Sequence, residues 1–146
     1  MTKMLLVLNG ATYSSNAVKT ALKLAKEKKA KLDLLYVNPT CHQMFPGVKP
    51  GLCFWMPDFE YNVYARRFKN KVMKEISPMF REKEMEPQIL VTNREQDEAI
   101  RDLSNKKEYE KIFIASPSRY CSEKNKGWFN FKSKFQERPS GTVCLV

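Results

Sequence analysis

A chain of 146 residues has the size of one domain and is long enough to bury a core without help from a disulfide or a metal. With 42% hydrophobic and 29% charged residues it has a globular balance, and no apolar stretch approaches the roughly 20 residues of a membrane span. The formal charge of +10 raises nucleic acid as a partner, but the basic residues are spread along the chain without a recognised reading motif. Nothing beyond weak, salt-sensitive contact with polyanions is expected from it.

Met4-Leu5-Leu6-Val7-Leu8 is a continuous apolar run ending at Asn9-Gly10, the pattern of a strand covered on both faces. The run is too short for a signal-peptide core, so the expected address is the cytoplasm. Ser14 and Ser15 offer an N-cap to a helix whose Ala17, Val18, Ala21, Leu22, Leu24 and Ala25 recur at helical spacing. Leu32 to Val37 is a second strand, ended by Asn38-Pro39. This β-α-β order implies a right-handed crossover and a parallel sheet.

Residues 39–57 read as an irregular loop rich in Pro, Gly and aromatics, including Phe45, Phe54 and Trp55, and such a loop often serves as a lid or binding surface. Asp58 is placed to cap a long helix with the stripe Tyr61, Tyr64, Ala65, Phe68, Val72, Ile76, Met79 and Phe80, and Pro78 is expected to kink or divide its last turns. Ile89 to Val91 is a third strand, after which Thr92 or Asn93 opens a helix carrying Ala99, Ile100 and Leu103. Ile112 to Ala115 is a fourth strand, followed by Ser116-Pro117-Ser118-Arg119 and a polar, lysine-rich stretch to Gly127. Trp128 to Glu137 fits a fourth helix, and Thr142 to Val146 a fifth strand. The expected architecture is a single domain over residues 1–146: an α/β three-layer sandwich on an open five-stranded parallel sheet.

Ligands of open parallel sheets bind beyond the carboxyl ends of the strands, where neighbouring connections leave in opposite directions. The qualifying loops are Asn9 to Ser14 and Ser116 to Gly127. Neither holds a P-loop or a Gly-x-Gly-x-x-Gly. Ser14, Ser15, Ser116 and Ser118 have no nucleophile elbow around them, and His42 lies on another loop, so no enzyme activity is expected. Cys41, His42, Cys53, Cys121 and Cys144 include no Cys-x-x-Cys pair; three of them share one loop but lack the spacing of a zinc site, so no metal is expected. Cys144, in an apolar strand, reads as a small buried hydrophobe.

The segments Met4 to Ala11, Ser15 to Val18, Ala21 to Ala25 and Ala30 to Val37, then Ala99-Ile100, Tyr109 to Ser116 and Gly141 to Val146, resemble in pattern and order a universal stress protein over nearly the whole chain. The resemblance implies a sheet order of 3-2-1-4-5, as in the adenine nucleotide alpha hydrolase-like fold, and a homodimer through the C-terminal strand Thr142 to Val146. It also divides the family into members that bind ATP and members that do not. Binders carry Gly-x-x-Gly, nine residues, then Gly-Ser or Gly-Thr after the fourth strand. Here the first two glycine positions fall on Ala115 and Ser118, the third pair falls on Trp128-Phe129 beside Gly127, and the acidic residue ending the first strand is Asn9.

Three readings follow. The first is a non-enzymatic stress-related regulatory or scaffold dimer, its phosphate loop lost, working through protein contacts. The second is a sensor of ATP or AMP in which Ser116, Ser118, Arg119, Lys124 and Lys126 replace the glycines, arginine holding phosphate by bidentate bonds. By the resemblance, Val7, Asn9, Gly10 and Val37 would then line the nucleoside pocket, with Ala115 and Gly127 beside the phosphates. The third is a polyanion-binding protein.

Overall fold

A computed structural model of the chain describes residues 2–53, 55–121 and 142–145. The strands are β1 (Lys3–Asn9), β2 (Lys31–Val37), β3 (Ile89–Thr92), β4 (Lys111–Ile114) and β5 (Thr142–Cys144), all parallel, in the order β3-β2-β1-β4-β5. The helices are α1 (Ser15–Glu27), α2 (Cys41–Met44), α3 (Pro50–Cys53), α4 (Asp58–Glu82) and α5 (Gln96–Lys106). The α/β architecture and strand order expected from the sequence are those observed. The helix expected over 128–137 lies outside the described residues.

Strand β1 is central, and Met4 to Asn9 are all buried because both faces of the sheet are covered. Met4, Leu6 and Leu8 join Leu34 and Tyr36 under α1 and α4, which contribute Val18, Leu22, Val72, Ile76 and Phe80. On the other face Leu5 and Val7 join Leu35, Val37, Ile112 and Ile114 under Ala99 and Ile100 of α5. Strand period two thus sends alternate residues of one run into two separate cores.

Helix α1 starts as expected, Ser14 Oγ accepting from the Ala17 N–H at 3.2 Å. Helix α4 does not start as expected. Pro57 holds the N-cap position without a side-chain cap, and Asp58 lies within the first turn, where its charge suits the helix dipole. Pro78 does not end or divide α4, which runs on to Glu82. Ile76 and Phe80, buried on either side of it, hold the last turns against the core. Nor does α5 open at Thr92 or Asn93. Thr92 is the last residue of β3 and its hydroxyl accepts from the Arg94 N–H at 3.1 Å, so the helix begins only after Glu95.

Two further expectations are corrected between β2 and α4 and at β5. The 39–57 loop contains the two helical turns α2 and α3, the first fixed by a capping box of Thr40 and Gln43. The cysteines are paired, Cys41 with Cys53 and Cys121 with Cys144, at Cα separations of 5.8 and 5.2 Å. Cys144 is therefore not a simple buried hydrophobe, because its strand lies beside the turn carrying Cys121. No described helix is long and apolar enough to cross a membrane.

Two buried polar groups stand out in the core. Asp33, 2% exposed, accepts from the Tyr109 hydroxyl at 3.0 Å and has Lys31 Nζ at 3.7 Å. Burial, then the bond to Asp33, pushes the Tyr109 phenol up to about 12. Tyr36 is fully buried, and its hydroxyl has no hydrogen-bond partner among the described residues. Burial, with Tyr61 nearby, pushes it up to about 12. The ring end fills the space over Gly10, where an added Cβ would come within 1.9 Å of the Tyr36 oxygen. Gly10→Ala is therefore expected to lower stability by about 1–3 kcal/mol through overpacking. Tyr36→Phe, which removes only the unpartnered hydroxyl, should be neutral or raise stability by up to about 1 kcal/mol. Urea titration followed by circular dichroism measures both.

Candidate functional site

Helix α1, which follows β1, and the described turn after β4 pack on opposite faces of the sheet, and in a doubly wound fold ligands bind between such strand ends. Asn9 closes β1 there, 7% exposed. Its backbone N–H would face an apolar core unpaired, because β4 ends at Ile114. The hydroxyl of Ser116, 1% exposed, takes that bond at 2.7 Å and extends the ladder with a side chain. The Asn9 carboxamide is also spent locally: Oδ1 accepts from the Ala11 N–H at 2.8 Å, and Nδ2 donates to Gln43 Oε1 at 3.3 Å. That second bond ties α2 to the strand end. The Ala115 carbonyl accepts from the Ser14 N–H at 2.8 Å and so positions the start of α1.

Beyond Ser116 the chain turns over the first turn of α5. Asp97, 9% exposed, accepts from the Ser118 hydroxyl, and its other oxygen lies 3.4 Å from the Arg119 backbone nitrogen, which donates to it, and 3.8 Å from Arg119 Nε. Ser118 Oγ in turn accepts from the Tyr120 N–H at 3.2 Å, and Gln96 Nε2 donates to the Pro117 carbonyl at 3.3 Å. The Arg119 guanidinium folds back, with Nη2 3.3 Å from the Tyr120 hydroxyl and its carbon 5.2 Å from the centre of that ring. The hydrogen bond to Tyr120 raises the Arg119 pKa most; burial opposes it, and the charges of Tyr120, Asp97 and Glu95 add to the rise. Tyr120 itself is buried against the α5-side core, and Cys121 fastens the end of the turn to β5.

The candidate residues therefore converge only in part. Asn9, Gly10, Ala115 and Ser116 meet at the strand ends, all buried. Val7 and Val37 lie among the core residues of the α5 face at 0% and 2% exposure. Ser118 and Arg119 are drawn onto α5. Lys124, Lys126 and Gly127 lie outside the described residues. Two open cavities occur elsewhere, both flanking β3. One, about 380 Å³, has a floor of Leu35, Leu90, Ala99 and Leu103; the other, about 300 Å³, lies between α4 and β3 at Met73, Phe80 and Ile89.

Sequence reasoning missed Asp97, Gln43 and Tyr120. Asp97 was hidden because a helix starting at Thr92 or Asn93 leaves it in the interior, away from the strand ends. An acidic residue in the true first turn, facing the loop after β4, is the signal that would have found it. Gln43 was hidden inside a segment read as irregular. Removing the carboxylate should unfasten the turn: Asp97→Ala is expected to cost about 1–3 kcal/mol, as is Ser116→Ala, which strands the buried Asn9 N–H. Hydrogen exchange at Asn9 separates the two, since only Ser116→Ala should speed exchange of that amide.

The sequence matches no family model, and no curated protein sequence matches it. Solved structures do match along the whole chain. A universal stress protein, UspA, from Lactobacillus plantarum is 14% identical with a TM-score of 0.61, covering 99% of this chain and 97% of its own. A protein of the universal stress protein family from Burkholderia pseudomallei is 15% identical with a TM-score of 0.55, covering 98% and 94%. One from Arabidopsis thaliana with AMP bound is 12% identical with a TM-score of 0.55, covering 99% and 91%. The chain has the fold of these proteins.

Proposed function

We propose that this domain is a universal-stress-protein-like regulatory or scaffold protein that acts through protein contacts rather than by turning over a nucleotide. The observation that carries the reading is the closure of the 116–119 turn onto Asp97. The serine and arginine best placed to replace the missing glycines are already partnered by a carboxylate. A phosphate brought to the same place would meet that negative charge and would have to displace its hydrogen bonds. The hydroxyls are also occupied structurally, Ser14 as a helix cap and Ser116 as a ladder acceptor, which supports a role without catalysis.

The reading includes a homodimer through the strand Thr142 to Val146 and a cytoplasmic location. In support of the dimer, β5 is an edge of the described sheet, and an edge strand is a natural template for a second copy. Val146 lies outside the described residues. The adenine-nucleotide reading draws its support from the Arabidopsis structure with AMP bound and from the clustering of Asn9, Gly10, Ala115 and Ser116 at the crevice.

Isothermal titration with Mg·ATP and AMP, on protein checked for carried-over nucleotide, decides between them. The expected outcome is no heat and no bound nucleotide. Micromolar binding that Arg119→Ala abolishes would put the sensor in the scaffold's place. Light scattering is expected to give twice the 17.1 kDa chain mass, and a monomer at micromolar concentration would remove the dimer.

A further inference from the structure

We propose that the Cys41–Cys53 pair is a redox-active disulfide that exchanges with dithiols, with His42 protonating the sulfur that leaves. The pair joins α2 to α3, and both cysteines are partly exposed. It closes a short surface segment outside the sheet, with a sequence separation of 12. Opening it leaves every strand pairing in place. Cys121–Cys144 is partly exposed too but is placed differently: it fastens β5 to the turn after β4, and Cys121 packs against the α5-side core.

Exchange needs a stable leaving thiolate and a route for the attacking one. The chain's single histidine supplies the first, its Nδ1 lying 3.7 Å from Cys53 Sγ. A neighbouring imidazole that can donate a proton stabilises thiolate and makes it the better leaving group. The second is eased by charge, because residues 38–57 contain no Asp or Glu and do contain Lys49. An anionic thiolate therefore meets no carboxylate within this segment.

A thiolate of the dithiol attacks Cys41 Sγ. The Cys41–Cys53 bond breaks, Cys53 Sγ leaves with the electron pair, and it takes the proton from His42 Nδ1. The second thiol of the reagent then attacks the mixed disulfide and releases Cys41. Two electrons pass to the protein, which ends with two thiols, and the dithiol ends as a disulfide. Disulfides of reducing compartments are mostly transient and redox-active, so the chemistry is consistent with a cytoplasmic protein.

Folded protein purified without reductant is treated with dithiothreitol, quenched with iodoacetamide at intervals, and each cysteine peptide is quantified by mass spectrometry. Cys41 and Cys53 are expected to become alkylated roughly tenfold faster than Cys121 and Cys144, with unchanged circular dichroism. His42→Gln should slow opening of the first pair about three- to tenfold and leave the second pair unaffected. Equal rates for the two pairs, opening only with loss of the native spectrum, or a wild-type rate in His42→Gln would each overturn the proposal. So would metal analysis showing zinc held stoichiometrically by free Cys41 and Cys53 thiols.

Discussion

A buried strand end must find a partner for its last amide, and that constraint shapes everything at the carboxyl edge of this sheet. The N–H of Asn9 emerges where β4 has stopped, inside an apolar core in which an unpaired donor costs about 1–3 kcal/mol. The Ser116 hydroxyl meets it. Once Ser116 is turned inward, the following residues are carried across the top of α5, where Asp97 collects Ser118 and Arg119 and Tyr120 drops into the core. Cys121 then reaches β5. A local hydrogen-bonding requirement thus propagates into the path of residues 116–121.

The same path bears on what the charge of +10 can do at the strand ends. The excess positive charge is spread along the sequence, while Arg119, in the described turn after β4, is turned back on a carboxylate and an aromatic ring. Local pairing decides what a site can hold, and net charge decides only what the surface attracts from a distance.

Much of the fold was legible because its signals are local and redundant. The apolar runs at Met4 to Leu8 and Leu32 to Val37 announced strands covered on both faces, and the helical spacing from Ala17 to Ala25 announced α1. The strand order followed from a resemblance rather than from any residue. What escaped depended on partners distant in sequence. Asp97 acts on residues 118 and 119, and Cys121 reaches Cys144 across a segment that spacing rules do not bridge. Helix starts were misplaced where residues of good capping type, Asp58, Thr92 and Asn93, are used otherwise: one in a first turn, the others at a strand end and in the turn that follows. Pro78 does not divide α4, because buried neighbours on either side outweigh one missing hydrogen bond.

The opposite edge of the sheet has a different consequence. Strand β3 pairs on one side only in the described sheet, Ile89 and Val91 stand 44% and 45% exposed, and Ile89 lines the apolar cavity under α4. Pro87 blocks pairing just before the strand begins but not along it. Two molecules meeting at this edge have both a hydrogen-bonding row and a greasy surface to share, and the encounter rate rises with the square of concentration. Dense storage therefore favours contact at this rim, however firmly the interior is packed.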